Sequence, residues 1–516
     1  MPKMDWAKLL RAGLTGEAGI AIFEADETLK KLLADLYKVH EVTVPPGLAA
    51  RLRPYQERGF RWLYTNRERG LGSCLADDMG LGKTVQVIAL LLKLKEEGGL
   101  KTPALVVCPT TLLGNWEKEC ARFAPGLQVA VCHGPDRKLT PKGFDVILTS
   151  YGVVRNDQKQ FAKTRWSLLI IDEAQNIKNA DTAQSRALKE IKADGYVAMS
   201  GTPVENRLDE LWSIFDFLMP GYLGSRNAFS RRFAVPIEKY RDYEKAAMLR
   251  KATAPFILRR MKTDKKVISD LPDKIIKNQY CRLTPQQAAL YQQVLERELA
   301  LVENSEGMER RGIIFRLMTS LKQICNHPVH FSKKGIPQPD HSGKAELAFE
   351  RIRQIIRDRE KALIFTQYKE MGSVLVQMLE SELDVPLLFF HGSLQRKKRE
   401  QLVETFQNDP SCPLMVVSLK AGGTGLNLTA ASHVLHYDLW WNPAVEDQAT
   451  DRAYRIGQTK NVTIHRFVTL GTLEEKIDAI ISAKKELAAM TISAGETWLT
   501  EMSDQQLKEL FTLSTT

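Results

Sequence analysis

Apolar runs of four to seven residues recur along two long parts of the chain, separated by segments with helical periodicity. The first set is Ser73–Ala76, Pro103–Cys108 (PALVVC), Gln128–Cys132, Asp145–Ser150 (DVILTS), Ser167–Ile171 (SLLII) and Tyr196–Met199. The second is Ala362–Thr366 (ALIFT), Pro386–His391, Leu414–Leu419 (LMVVSL), Val434–Tyr437 and Val462–Val468, with helices predicted between them over Gln395–Gln407 and Pro443–Ile456. Continuous apolar runs of this length read as strands buried on both faces, and the intervening periodicity supplies the covering helices. The pattern therefore predicts an α/β chain with two parallel-sheet lobes. The rhythm breaks between them, where Leu208–Leu218, Thr284–Glu303 and Gly312–Cys325 read as helices. The boundaries expected are an N-terminal extension over 1–45, a first lobe over 46–220 and helical insertions over 221–332. A polar linker with two prolines follows over 333–342, then a second lobe over 343–487 and a C-terminal helical brace over 488–516. In the extension, Thr28–His40 has helical periodicity, and Ser503 reads as the N-cap of a last helix, Asp504–Phe511.

Chemistry concentrates at the carboxyl ends of the predicted strands, where open parallel sheets gather ligands. The stretch GSCLADDMGLGKT, Gly72–Thr84, reads as strand, glycine-bearing loop and helix. Asp78, Met79, Gly80, Leu81, Gly82, Lys83 and Thr84 form a candidate phosphate loop. Its two glycines let the backbone approach a polyphosphate, Lys83 reaches the β- and γ-phosphates, and the Thr84 hydroxyl is a Mg²⁺ ligand. Asp77 stands where the usual pattern has its first glycine, so the loop is a variant. After the run SLLII come Asp172, a second candidate Mg²⁺ ligand, and Glu173, a candidate for polarising the attacking water. The plain alternative for this pair is an acidic helix cap. Ser200 and Thr202, in MSGTPVEN, end another strand. Upstream, Gln56 in LRPYQ carries an amide that could pair with an adenine edge.

Composition narrows this picture only a little. The chain is 44% hydrophobic and 26% charged, with a net charge of +11. That balance is compatible with nucleic acid without requiring it. Seven cysteines without a CxxC pair suggest buried thiols in a reducing compartment, and Cys325, His327 and His330 lack the further ligands a metal would need. No run of eighteen apolar residues and no secretory leader is visible, so a cytoplasmic protein is expected, nucleoid-associated in a prokaryote, or a nuclear one in a eukaryote.

LRPYQ, DDMGLGKT, VVCPTTLLGNW, TSYGVV, DEAQ and SGTPVEN, in that order, resemble the first motor lobe of the Swi/Snf family of helicase superfamily two. The likeness extends to WWNPAVEDQATDRAYRIGQ, Trp440–Gln458, and covers roughly Leu52–Lys484. It implies two RecA-like lobes sharing one ATP and Mg²⁺ site, helical protrusions, a C-terminal brace of the second lobe against the first, and ATP-driven movement along double-stranded DNA. Arg452 and Arg455, three apart on a predicted helix, would be arginine fingers, with Gln448 one turn earlier orienting water or phosphate. SLKAGGTGLNL has glycines but no lysine after them, which argues against a second nucleotide site. The resemblance makes Gly422, Gly423, Thr424 and Gly425 a loop on the DNA backbone, joined by Gly392 and Ser393 of HGSLQRKKRE. Arg259, Arg260 and Lys262 read as phosphate contacts, as a brace, or as a solvated charged face. Two departures stand out: Asp78 replaces the usual glutamate of the loop, and Gln175 replaces the usual histidine. The function expected is a DNA-dependent ATPase that remodels protein–DNA complexes, in a prokaryotic setting. A strand-separating helicase and an inactive DNA-binding scaffold are the competing readings.

Overall fold

The computed structural model describes residues 38–201, 208–262, 264–265, 267–268, 271–418, 426–440, 443–488 and 502–514. The chain forms two compact units, Met1–Ser269 and Asp270–Thr516. The expected linker over 333–342 is therefore not the boundary; it lies inside the second unit. There Ser342 Oγ donates to the Asn326 carbonyl (2.9 Å), and the Gln338 carbonyl sits 2.9 Å from the His327 ring. Pro339 opens a short 3-10 helix, Pro339–His341.

The first unit is built on a seven-stranded parallel sheet. Its strands are β1 (Ser73–Leu75), β2 (Ala104–Cys108), β3 (Val129–Cys132), β4 (Val146–Ser150), β5 (Leu168–Asp172), β6 (Tyr196–Met199) and β7 (Ile257–Leu258). The order across the sheet is β3-β4-β2-β5-β6-β1-β7. β7, only two residues long, was not legible as a strand; it extends the sheet beside β1, with Leu75 opposite Leu258. Alternate residues of the central strands feed two separate cores. Leu105, Val107, Leu169 and Ile171 pack with the Leu208–Leu218 helix on one face. Val106, Leu148, Leu168 and Ile170 pack with Leu63, Leu90 and Trp116 on the other. The described end of the N-terminal extension lies along the Pro54–Glu68 helix, where Arg61 bonds both Glu41 and Glu57 at 2.6 Å.

The second unit has a six-stranded parallel sheet: β8 (Lys274–Cys281), β9 (Ala362–Thr366), β10 (Leu387–Phe390), β11 (Leu414–Ser418), β12 (His433–His436) and β13 (Val462–Thr469). The order is β10-β11-β9-β12-β13-β8. β8 comes from the stretch expected to be purely helical. It is an edge strand pairing with β13 over its whole length, from Val462 opposite Lys274 to Thr469 opposite Cys281. The helices Pro285–Glu303 and Gly307–Asn326 do form, and they pack with each other, with Leu473 and Ile477, and with Leu507, Leu510 and Phe511. The Asp504–Phe511 helix forms with the expected Ser503 N-cap, and the Phe511 carbonyl accepts from Tyr291 Oη at 2.9 Å. Through these contacts the last helix holds the helical pair within the second unit. The expected helix over Thr28–His40 lies almost wholly outside the described residues.

All seven cysteines are buried free thiols. Among the described residues no helix is long and apolar enough to cross a membrane.

Candidate nucleotide site and nucleic-acid loops

In the first unit the loop after β1 turns sharply. Gly80 and Gly82 take left-handed backbones, φ 81° and 76°. Gly82 caps the Lys83–Glu96 helix without any side-chain hydrogen bond, which leaves the first-turn N–H groups without a side-chain acceptor from the cap. A Cβ at Gly82 would fall 2.4 Å from Gln56 Nε2, so glycine is required there on two counts. Asp78, Met79, Gly80, Lys83 and Thr84 are half-buried, whereas Leu81 is fully buried. Lys83 Nζ folds back on its own loop, 2.6 Å from the Asp77 carbonyl and 3.4 Å from that of Asp78.

Gln56 is occupied in this arrangement. Its Oε1 accepts from Arg53 N (3.0 Å), capping the helix, and its Nε2 donates to the Leu81 carbonyl (3.1 Å), which Tyr55 Oη also reaches (2.8 Å). The amide expected to face an adenine thus supports the loop from behind.

Asp172 and Glu173 sit at the end of β5, as expected. Asp172 accepts from Trp116 Nε1 and from the Glu173 backbone N, each at 2.9 Å. Burial raises its carboxyl above the ordinary aspartate range, against the opposing pull of the Trp116 hydrogen bond and the Lys83 charge. Glu173 has φ 57°, a left-handed backbone that costs a non-glycine residue roughly 1–3 kcal/mol and so points to a demanded geometry. Tyr151 Oη steadies that turn by donating to the Asp172 carbonyl at 2.7 Å.

Gln175, the departure from the family pattern, has a definite role in the structure. Its Nε2 donates to Glu173 Oε2 (2.7 Å), and its Oε1 accepts from Ser200 Oγ (3.2 Å). One amide therefore joins the ends of β5 and β6, two of the motif-bearing strand ends. Thr202 lies outside the described residues. Trp116 and Tyr151 carried no assigned role in the sequence, although both stand inside recognised motifs (TTLLGNW and TSYG). No local signal marks either as a partner of Asp172, which is remote from both along the chain.

In the second unit the Pro443–Thr450 helix stops short of its expected end at Ile456, and residues 451–457 form turns. Arg452 and Arg455 consequently do not share a helix face. Arg452 is buried and its carbonyl accepts from Leu428 N (2.9 Å), whereas half-buried Arg455 donates from Nη1 to the Leu426 carbonyl (3.0 Å). The Gln458 amide explains the break: its Nε2 bonds the carbonyls of Thr429, Ala431 and Ala453 and pulls the turn onto the loop after β11. Both arginines are thus anchored beside the end of that glycine loop. Gln448 is half-buried on the preceding helix.

Gly392 and Ser393 are exposed just beyond β10; Lys369 Nζ donates to Ser393 Oγ (3.0 Å) and Arg399 Nη2 to the Gly392 carbonyl (3.0 Å). Gly422, Gly423, Thr424 and Gly425 lie outside the described residues. β10 and β11 are parallel neighbours, so the chain leaves both toward the same end of the sheet.

The SNF2-related domain family matches residues 55–330. The chain belongs to that family. The helicase conserved C-terminal domain matches its residues 347–457. YwqA of Bacillus subtilis, named an ATP-dependent helicase/translocase, is 47% identical over 97% of this chain and 55% of that protein. An ATP-dependent helicase of Mycoplasma pneumoniae is 36% identical over 94% of this chain and 46% of its own length. The TATA-binding protein-associated factor MOT1 of Saccharomyces cerevisiae is 34% identical, over 97% of this chain and 31% of MOT1. The chain thus spans about half the length of these bacterial relatives. Among solved structures, the Sulfolobus solfataricus SWI2/SNF2 ATPase core in complex with dsDNA is 44% identical, covering 93% of this chain and 100% of that one, with a TM-score of 0.47.

Proposed function

We propose that this chain is the motor of an ATP-driven translocase on double-stranded DNA that remodels protein–DNA complexes. The observation that carries the reading is the cluster at the strand ends of the first unit. A glycine loop with Lys83 enters a helix, Asp172 is a buried carboxylate, and Glu173 is linked through Gln175 to Ser200. These are the parts that phosphoryl transfer to water uses: a cradle, a cation for charge, and a carboxylate to orient the nucleophile. Lys83 leaves its two loop carbonyls for the phosphates. Glu173, held by Gln175, positions the water. Thr84 and Asp172 present hard oxygen donors that suit Mg²⁺, which when bound would neutralise phosphate charge. Arg452 and Arg455 are assigned as arginine fingers by their place in the WWNPAVEDQATDRAYRIGQ motif. Gln448 is assigned to orient water or phosphate, and Gln56 to meet the adenine by giving up its bond to Leu81.

Gly392, Ser393 and the 422–425 loop are assigned to the DNA backbone. Contacts of that kind are sequence-independent and weaken steeply with salt. The similarity to YwqA, named helicase/translocase, and to MOT1, named for association with the TATA-binding protein, supports a track of DNA and a DNA-bound protein as the thing displaced.

The test is the steady-state ATPase rate at fixed low salt with no nucleic acid, duplex DNA, single-stranded DNA or RNA. Duplex DNA should raise kcat at least ~10-fold, an effect of about 1.4 kcal/mol on the barrier. Equal or greater stimulation by single strands or RNA overturns the duplex track. No phosphate release under any condition favours the scaffold.

A further inference from the structure

Arg260 was legible only as part of a basic run, yet the fold buries it under the candidate phosphate loop. Its side chain is 10% exposed and the Asp77 carboxylate it meets is fully buried. Nε donates to Asp77 Oδ1 at 2.8 Å and Nη2 to Asp77 Oδ2, a two-pronged pairing; Nη2 also reaches Gln86 Oε1 at 2.8 Å, and Nη1 the Tyr55 carbonyl. Such forked, charge-assisted bonds fix geometry as well as energy. The backbone repeats the link. Ala76 N donates to the Leu258 carbonyl (2.7 Å), Asp78 N to that of Arg260 (3.0 Å), and Lys262 N to Asp78 Oδ2 (2.9 Å). Residues 258–262 lie a short way before the end of the first unit at Ser269, after which the chain passes to the second. Room for the clamp is provided by Gly59, where a Cβ would lie 1.9 Å from Gln86 Oε1 and 2.7 Å from Arg260 Nη2.

We infer that Arg260 is a positioning residue that ties the state of the nucleotide loop to the segment through which the chain leaves the first unit. Lys83 bonds the carbonyls of Asp77 and Asp78, the same two residues to which that segment is stitched. A polyphosphate competes for the Lys83 amine and frees both carbonyls. The resulting shift of residues 77–78 reaches 258–262 directly, because Asp77 and Asp78 are their bonding partners. Asp77 in place of a loop glycine then has a reason: it is the loop's handle for this segment. A clamp with two discrete arrangements is the physical requirement for such coupling.

This inference rests on the loop's binding a nucleotide, and hydrogen exchange tests it without DNA. Amides of 257–262 are followed in the full chain with and without a non-hydrolysable ATP analogue and Mg²⁺, with analogue affinity measured by calorimetry. In the wild type the analogue should change exchange in this segment at least ~5-fold. In Arg260→Gln, and independently in Gly59→Ala, which keeps both charges but displaces the clamp, the change should fall below ~2-fold with affinity within ~3-fold. Gly59→Ala decides the matter if Arg260→Gln does not fold. A wild-type-sized response in either folded variant, or analogue binding to the wild type with no change in 257–262, overturns the inference alone. No analogue binding by the wild type overturns the nucleotide reading itself.

Discussion

Glu173→Gln should bind ATP with a Kd within about threefold of wild type while kcat falls about 10²–10⁴-fold, the usual worth of a positioned acid or base. The substitution is close to isosteric, and a glutamine tolerates the left-handed backbone no worse than a glutamate, so the turn held by Tyr151 and Gln175 should persist. What is lost is the charge that orients and polarises water. Single-turnover phosphate release against nucleotide binding separates the two effects. Equal release by wild type and Glu173→Gln would remove Glu173 from the chemistry and favour an inactive scaffold.

Lys344→Met should cost about 3–5 kcal/mol of stability, the range for breaking a buried ion pair by removing one partner. Lys344 and Glu474 have side chains 0% and 1% exposed, and Nζ lies 2.7 and 2.8 Å from the two carboxylate oxygens. It also donates to Asn326 Oδ1 at 3.0 Å, and Asn326 Nδ2 donates to Asp438 Oδ2 at 3.1 Å. The pair therefore anchors the Gly307–Asn326 helix to the strand end that leads into the WWNP motif. Calorimetry should show the second unit's transition lowered by roughly 10 °C, at about 2–4 °C per kcal/mol for a unit of this size. Lys344→Met with Glu474→Leu should regain most of the loss, since an apolar pair of similar volume is often neutral. A double variant as unstable as the single one would mean the charges themselves, not the unpaired carboxylate, carry the stability.

Most of the strands that were legible are buried on both faces, where continuous apolar runs leave little choice of element; β3 and β10 are half-buried edges but still carry such runs. β8 was not, because it is an edge strand whose Ile275, Ile276 and Tyr280 remain exposed, and its KIIKNQYC sequence shows neither a continuous run nor alternation. The Pro443–Thr450 helix was drawn six residues too long because AYRIG continues a helical pattern; its end is imposed from outside, by Gln458 bonding a distant loop. The loop, its lysine and the carboxylates at the end of β5 were recognisable because local order alone places them. Their supports were not: Trp116 meets Asp172, and Arg260 meets Asp77, only once the sheet brings them together. Asp77 in a glycine's place was the one local hint that the loop had an unusual partner.

Movement along an intact duplex is read out by triplex displacement. A third strand is annealed to duplex DNA, and its release is followed with ATP, without ATP and with Lys83→Ala, beside a tailed duplex that reports strand separation. The wild type should release the third strand only with ATP, Lys83→Ala should release none, and the tailed duplex should stay paired. Separation of the tailed duplex with the third strand left in place would contradict movement along an intact duplex.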